Sequence, residues 1–187
     1  MKKIIVLPII AAIAVVSVYY ASPLFINTTV DESVPTAMEI MQKDQAMMEK
    51  EASMMEKEQT MTEEKEMMME KQEPATTLTG NFVGVGDGIH NAEGIAKILA
   101  VNDGQTEHRI LRLENFRSTN GPDLYVYLSK DARSISDGYI ELARLKGNIG
   151  NQNYQIPTDV DLNEYSHVLI WCKQFSVLFG YADLEVA

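Results

Sequence analysis

The chain is expected to fold as an all-β domain, a single antiparallel β-sandwich or barrel, preceded by a transmembrane helix and a Met/Glu/Lys-rich helical stalk. Three features lead there. Residues 4–25 are apolar and uncharged, and residues 39–73 carry a seven-residue methionine repeat. From Thr76 onward methionine vanishes, and short apolar runs alternate with Gly/Asn/Asp turn clusters at roughly ten-residue spacing. The expected organisation is a transmembrane anchor or signal segment over 1–25, a Met-rich acidic linker over 26–75 and a β domain over 76–187.

The apolar run reads IIVLPIIAAIAVVSVYYASPLF. At ~1.5 Å per residue it makes a helix about 33 Å long, enough for a ~30 Å hydrocarbon core. A cleaved secretory signal starts the same way but needs small residues before the cut. The best candidate ends at Ala21, and there Tyr19 fills the outer small-residue position. An uncleaved single-pass anchor is therefore expected, with a secreted protein as the alternative. No cysteine lies near the run, which excludes an acylated lipoprotein anchor, and no Arg-Arg pair precedes it. Lys2 and Lys3 lie before the run and Asp31 and Glu32 after it. This bias places the N-terminus in the cytoplasm and the rest of the chain outside.

The chain carries a formal charge of −11, and leaving out Lys2 and Lys3 gives −13 for the external part. Nucleic acid is excluded as a partner, because phosphate binding needs clustered Lys and Arg. Electrostatic attraction to anionic lipid is equally disfavoured.

From residue 46 the chain reads AMMEKEA, SMMEKEQ, TMTEEKE, MMMEKQE. Met47, Met54, Met61 and Met68 form one column; Met41, Met48, Met55 and Met69 form the next, which Thr62 interrupts. Good helix formers fill 37–72, and Pro35 and Pro74 bracket them, so one long helix without contact to the β domain is expected. The two columns are one residue apart rather than three and four, so they give a narrow drifting stripe. Three readings stay open: a solvated stalk, a weak homotypic coiled coil, and Cu(I) capture by thioethers of Met47, Met48, Met54, Met55, Met61 and Met68. Methionines here are also an oxidant sink.

In the β domain, Thr79–Val85 and Ile95–Val101 are expected strands, closed by Gly86-Asp87-Gly88 and Asn102-Asp103-Gly104. Arg109–Glu114 alternates, with Leu111 and Leu113 on one face and Arg112 and Glu114 on the other. After the turn at Asn120-Gly121-Pro122, Leu124, Val126 and Leu128 face one way and Tyr125 and Tyr127 the other. Tyr139–Leu145 suits a strand or a helix. Gly147-Asn148 and Gly150-Asn151 punctuate the approach to a short strand at Tyr154–Ile156, and Asp159–Tyr165 reads as a helical turn. Val168–Cys172 and Leu178–Leu184 close the series. Val168 to Trp171 is unbroken apolar sequence, as in a strand covered on both faces. By parity Cys172 shares a face with Val168 and Ile170, and Trp171 with Leu169.

Three blocks, LRLENFRSTNGPDLYVYLS (111–129), LKGNIGNQNYQIP (145–157) and YSHVLIWCKQFSVLFGYADL (165–184), resemble the DM13 domain. The resemblance runs from Gly80 to Leu184 and leaves the anchor and the Met repeat outside. It implies a β domain proposed to serve electron transfer or redox modification at cell surfaces, beside DOMON and b-type cytochrome partners. The family's cysteine stretch matches at Ile170, Trp171, Cys172, Phe175, Val177, Phe179, Gly180, Ala182 and Leu184, and a family histidine matches His90, ahead of Gly94. The resemblance thus implies Cys172 as the redox residue, with His90, Cys172 and Trp171 as cofactor contacts and a membrane cytochrome or other redox protein as partner. The chain is then a component of electron transfer rather than a self-contained enzyme.

Cys172 is the only cysteine, so it cannot form a disulfide within the chain. The open readings are a buried core residue, a redox thiol, a metal or haem ligand, and an intermolecular disulfide. Lys173 is next to it but points to the opposite face of a strand. Covalent c-type haem is excluded by the lack of C-x-x-C-H. Blue copper is excluded because neither His nor Met follows Cys172. A zinc site would need His90, His108, His167 and Cys172, which have no finger-like spacing. A non-covalent haem with Cys172 or His90 as axial ligand stays open. No hydrolase or nucleotide motif is present, and Gly84-x-Gly86-x-Gly88 ends a strand as a turn. A membrane-tethered extracytoplasmic redox module acting through Cys172 is the first functional expectation. The alternative is a non-catalytic surface binding module with a structural cysteine.

Overall fold

The computed structural model describes residues 26–40, 42, 74–102 and 106–187. The expected membrane segment at 4–25 and the methionines of the repeat from Met41 onward lie outside these residues. Among the described residues no helix is long and apolar enough to cross a membrane.

The strands in chain order are β1 (Thr29–Asp31), β2 (Ala75–Gly84), β3 (Ala92–Asn102), β4 (Glu107–Ser118), β5 (Leu124–Ser129), β6 (Tyr139–Arg144), β7 (Ile149–Ile156), β8 (His167–Cys172), β9 (Val177–Asp183) and β10 (Glu185–Val186). They form one curled sheet in the order β1-β7-β4-β3-β2-β9-β8-β5-β6, with β10 on β2. All pairings are antiparallel except β1 with β7. The fold is all-β as expected. The sheet curls at β2, whose Ala75–Asn81 portion pairs with β3 and whose Phe82–Gly84 portion pairs with β9. That hand-over wraps the sheet round a core of alternate residues, including Ile98, Leu111, Leu113, Leu124, Val126, Leu128, Val168, Ile170 and Cys172.

The register defines two ends. At one end Gly84 meets Gly180, Ala92 meets Ser118, Arg117 meets Ile149, and Leu124 meets Cys172. At the other, Ala75 meets Ala100, Asn102 meets Glu107, and Ser129 meets His167. These are the near and far ends below.

Several expectations are corrected. Tyr139–Arg144 resolves as a strand, because Ile140 and Leu142 pack on the core while Glu141 points away to Tyr127. The short strand expected at Tyr154–Ile156 begins earlier, at Ile149, and includes Gly150-Asn151. Gly150 has φ +108, and a Cβ there would lie 1.9 Å from the Val30 carbonyl oxygen. The glycine read as punctuation is the place where β1 lies against β7. Asp159–Tyr165 forms turns, as expected, and the Tyr165 N–H donates to the Asp161 carbonyl (2.9 Å) as in one turn of helix.

The largest correction concerns residues 26–40, placed in the linker by sequence. Here β1 adds in parallel to β7, and a helical turn follows at 37–40. Thr36 and Glu39 form a capping box: the Thr36 N–H donates to Glu39 Oε2 (3.0 Å) and the Glu39 N–H to Thr36 Oγ1 (3.3 Å). Ala37 and Ile40 are buried against Leu99, Val101 and Ile110 on the outer face of the sheet. The expectation that 37–72 touches nothing on the β domain therefore fails at its first turn. Arg112, only 5 % exposed, explains why this segment is held. Its Nη1 donates to the carbonyls of Glu32 and Ser33 (both 3.0 Å) and to Asn153 Oδ1 (2.9 Å), and its Nε donates to Glu114. A buried guanidinium needs such partners, and the N-terminal segment supplies them.

Candidate functional site

Cys172 is the last residue of β8, at the near end, and is 1 % exposed. It pairs with Leu124 on one side and Val177 on the other, and its side chain belongs to the central core. The parity read from the sequence holds: Val168 and Ile170 share its core, whereas Trp171 packs with Leu169 and Tyr127 on the opposite face. Trp171 therefore does not line a pocket with Cys172. Phe175 is 63 % exposed in the turn after β8, so it does not cover the thiol either.

The core that holds the cysteine contains Phe82, Phe116, Tyr154 and Phe179, and Phe179 is the one from the neighbouring strand β9. Register shifts between Ile170 and Trp171, so Ile170 faces Gly180 while Trp171 faces Leu178. Phe179 is the residue left over in this bulge, and the bulge turns its ring into the core. His90 lies on it: the two rings are 4.6 Å apart at 64°. His90, Phe179 and Cys172 thus occupy one end of the barrel, with His90 outermost.

His90 is held by the turn that precedes it. Asp87 Oδ1 accepts from the N–H groups of Ile89 (2.9 Å) and His90 (2.7 Å), and Asp87 Oδ2 meets His90 Nδ1 at 2.5 Å. The His90 N–H, then its ring, then the Ile89 N–H, hold the Asp87 carboxylate down to about 2. The sequence reading of Gly86-Asp87-Gly88 as a turn is right but misses that Asp87 orients the histidine; an Asx-type residue three before a histidine was the available signal. Gly94 positions the strand that follows. It has φ +118 inside a bulge of β3, and a Cβ would meet Glu114 O and Phe116 Cα at 2.8 Å, so only glycine fits.

The face beyond Cys172 is different. Tyr127 stacks on Tyr139 (4.8 Å), and its hydroxyl donates to Glu141 Oε2 (3.2 Å). Burial, then the Glu141 charge, raise the Tyr127 pKa. Lys173 belongs to this face, 2.8 Å from Glu141 and 4.9 Å over the Tyr125 ring, so it does not activate the thiol.

The possible zinc ligands are separated. His90 and Cys172 are at the near end; His108, paired with Val101, and His167, paired with Asp183, are at the far end. Among the described residues no group of three or more His, Cys, Asp or Glu is placed to hold a metal. Two clefts, of ≈ 190 and ≈ 130 Å³, border the N-terminal segment, and neither is lined by Cys172, His90 or Trp171. Pockets that enclose an organic ligand are typically about 300–1,000 Å³. Cys172 lies in the core and Trp171 on the opposite face of β8, so the two do not turn toward one common cavity. The candidate copper ligands Met47, Met48, Met54, Met55, Met61 and Met68 lie outside the described residues.

A curled antiparallel sheet with one cysteine closing a central strand defines a class of β module. The model of the family Electron transfer DM13 matches residues 84–184, and the chain belongs to that family. The matched span includes His90, Trp171, Cys172 and Phe179. No curated protein and no solved structure matches the chain. Family membership makes the chain an electron-transfer domain in general terms, which implies a redox partner of some kind.

Proposed function

We propose that the protein is a membrane-tethered, extracytoplasmic electron-transfer module whose working end is the near end, with Cys172 as its redox residue. The observation that carries the reading is the convergence of His90, Phe179 and Cys172 at one end of the barrel, inside the matched family region. Tethering rests on the length and apolarity of residues 4–25 and on the basic residues before them. A single thiol has no partner within the chain, so a two-electron cycle needs a thiol from the redox partner. Cys172 is buried, so that partner must first open the near end, where His90 packs on Phe179.

One observation favours a second reading. A cysteine 1 % exposed among aliphatic side chains also behaves as a small hydrophobe in a surface interaction module. The two readings part on electron transfer from the full chain to an oxidised membrane haem protein that offers a thiol: Cys172 and that thiol join as a mixed disulfide, two protons leave, and two ferric haems each take one electron. The redox reading expects Cys172→Ser to abolish this transfer while the β fold survives. Unchanged transfer in that variant supports the structural reading and removes Cys172 from the pathway.

A further inference from the structure

We infer that the near end of the barrel lies against the lipid bilayer, with Ile26, Ile89 and Phe175 as its apolar contacts. This rests on the proposal that residues 4–25 stay in the membrane, and it names the surface that the tethered domain presents to it. The first described residue, Ile26, follows the apolar run directly. Asn27 is already fixed to the domain: its Oδ1 accepts from Asn120 Nδ2 (3.2 Å) and Asn148 Nδ2 (2.9 Å), and the Thr28 N–H donates to Asn148 Oδ1 (2.7 Å). Only two peptide links separate Phe25 from Asn27, a reach of about 7 Å. A domain held that closely has no stalk between itself and the bilayer.

The loops at this end form one connected rim. Thr119 and Asn91 exchange hydrogen bonds (3.0 and 3.1 Å), and the Lys173 N–H donates to the Asp123 carbonyl (2.9 Å). Three of the large apolar side chains left exposed stand on that rim or beside it: Ile26 at 61 %, Ile89 at 70 % and Phe175 at 63 %. Large apolar groups clustered round the point where a membrane segment enters are suited to the headgroup–acyl boundary. The external charge of −13, derived from the −11 of the whole chain, does not favour attraction to an anionic surface, so the contact inferred is an apolar one.

The Met-rich segment is then not a spacer. The chain climbs from Thr29, beside Ile149 at the near end, to Ile40, packed on Leu99 and Val101 at the far end. It returns at Ala75, paired with Ala100 on the same strand. Both flanks of residues 41–73 are anchored on the end facing away from the bilayer. The Cys172 end faces the membrane, so the redox partner it fits is an integral-membrane protein.

The test uses the full chain in lipid vesicles. In a Cys172→Ser background, single cysteines replace Ile89, Phe175 or the exposed far-end Asp159, each carrying a fluorophore. The probe is a lipid with a nitroxide near its headgroup. Labels at 89 and 175 should be quenched at least about two-fold more than the label at 159, as shallow insertion of ~5–10 Å requires. Equal quenching at all three positions, in protein that floats with the vesicles, overturns the orientation while leaving the tether intact. Protein that does not float removes the tether and this inference with it. Paramagnetic broadening of the Ile89 and Phe175 amide signals by the same lipid reads the orientation in the unsubstituted chain.

Discussion

The two ends of the barrel are built differently. The far end is held by apolar and charged contacts that serve stability: Ile40 on Leu99 and Val101, and Arg109 donating to the carbonyls of Pro157, Thr158 and Val160. The near end spends its polar groups on orienting loops, as Asp87 does for His90, and leaves Ile26, Ile89 and Phe175 in the open. Core residues run through both. The difference teaches that His90 and Cys172 sit where the sheet gives up stabilising contacts for placed side chains. Substitutions at the far end should therefore lower stability without altering electron transfer, those at exposed near-end residues should do the reverse, and the buried Cys172 should do both.

The largest effect is expected from removing residues 26–40. That removes the strand β1 paired with β7, the buried Ala37 and Ile40, and the bonds of Arg112 to the Glu32 and Ser33 carbonyls, at a cost of about 3–5 kcal/mol. Thermal unfolding should show a fall in Tm above about 10 °C. A fall of only a degree or two would mean that β1 is an ornament and the two ends do not differ as described.

Close behind is Ile40→Ala. Ile40 is 5 % exposed, so its loss should cost about 2–5 kcal/mol in urea unfolding. Deleting 38–72 should cost as much, because it takes Ile40 away. Replacing 43–72 with a Gly/Ser linker of equal length should leave Tm within about 3 °C. The pair separates the anchored turn from the methionine repeat.

Alkaline pH should act through two tyrosines. Burial raises the pKa of Tyr154 and of Tyr127 above the ordinary 10.0. A raised pKa gives stability that is complete below pH 10.0 and is lost as pH rises toward the folded-state value. Above about pH 10, stability should fall by up to about 1.4 kcal/mol per pH unit for each of these tyrosines. A flat profile between pH 10 and 11 would contradict their burial. Tyr127→Phe should remove its half of the slope.

The smallest effect on stability is expected from Asp87→Ala, where Tm should move by no more than about 2 °C. The His90 ring should nevertheless leave Phe179, and its ring-current shift should collapse in the NMR spectrum. Acid should do the same to the unsubstituted chain. The Asp87 pKa is depressed, so its hold on His90 is complete above 3.8 and lost as pH falls toward about 2. A His90 shift unchanged at pH 2 would show that Asp87 does not position it.

Much of the fold is legible in the residues. Leu124-Tyr125-Val126-Tyr127-Leu128 alternates cleanly, and the structure sorts it into the core and the Tyr127–Trp171 layer as parity demands. The unbroken Val168–Trp171 run is covered on both faces, again as read. What could not be read depends on partners distant in sequence. Thr29-Val30-Asp31 has no strand pattern of its own and pairs only because Gly150 leaves room for Val30. Arg112 alternates as a surface residue would, and it is buried only because residues 32 and 33 arrive to cover it. The site was half legible. Cys172 and His90 came from the family pattern, but Phe179 reaches the core through a bulge, which a two-residue period cannot foresee. The same period puts Trp171 on the wrong side to join them.

The central claim is that the near end works through Cys172. It is tested most directly by the rate of electron exchange between the vesicle-bound full chain in its thiol form and an oxidised membrane haem protein that offers a second thiol, compared for the unsubstituted chain, Cys172→Ser and Ile40→Ala. Cys172→Ser should cost only about 1–3 kcal/mol of stability. Exchange should be lost in Cys172→Ser and kept in Ile40→Ala, although Ile40→Ala is the equally or less stable of the two. Exchange at the full rate in folded Cys172→Ser would contradict the account.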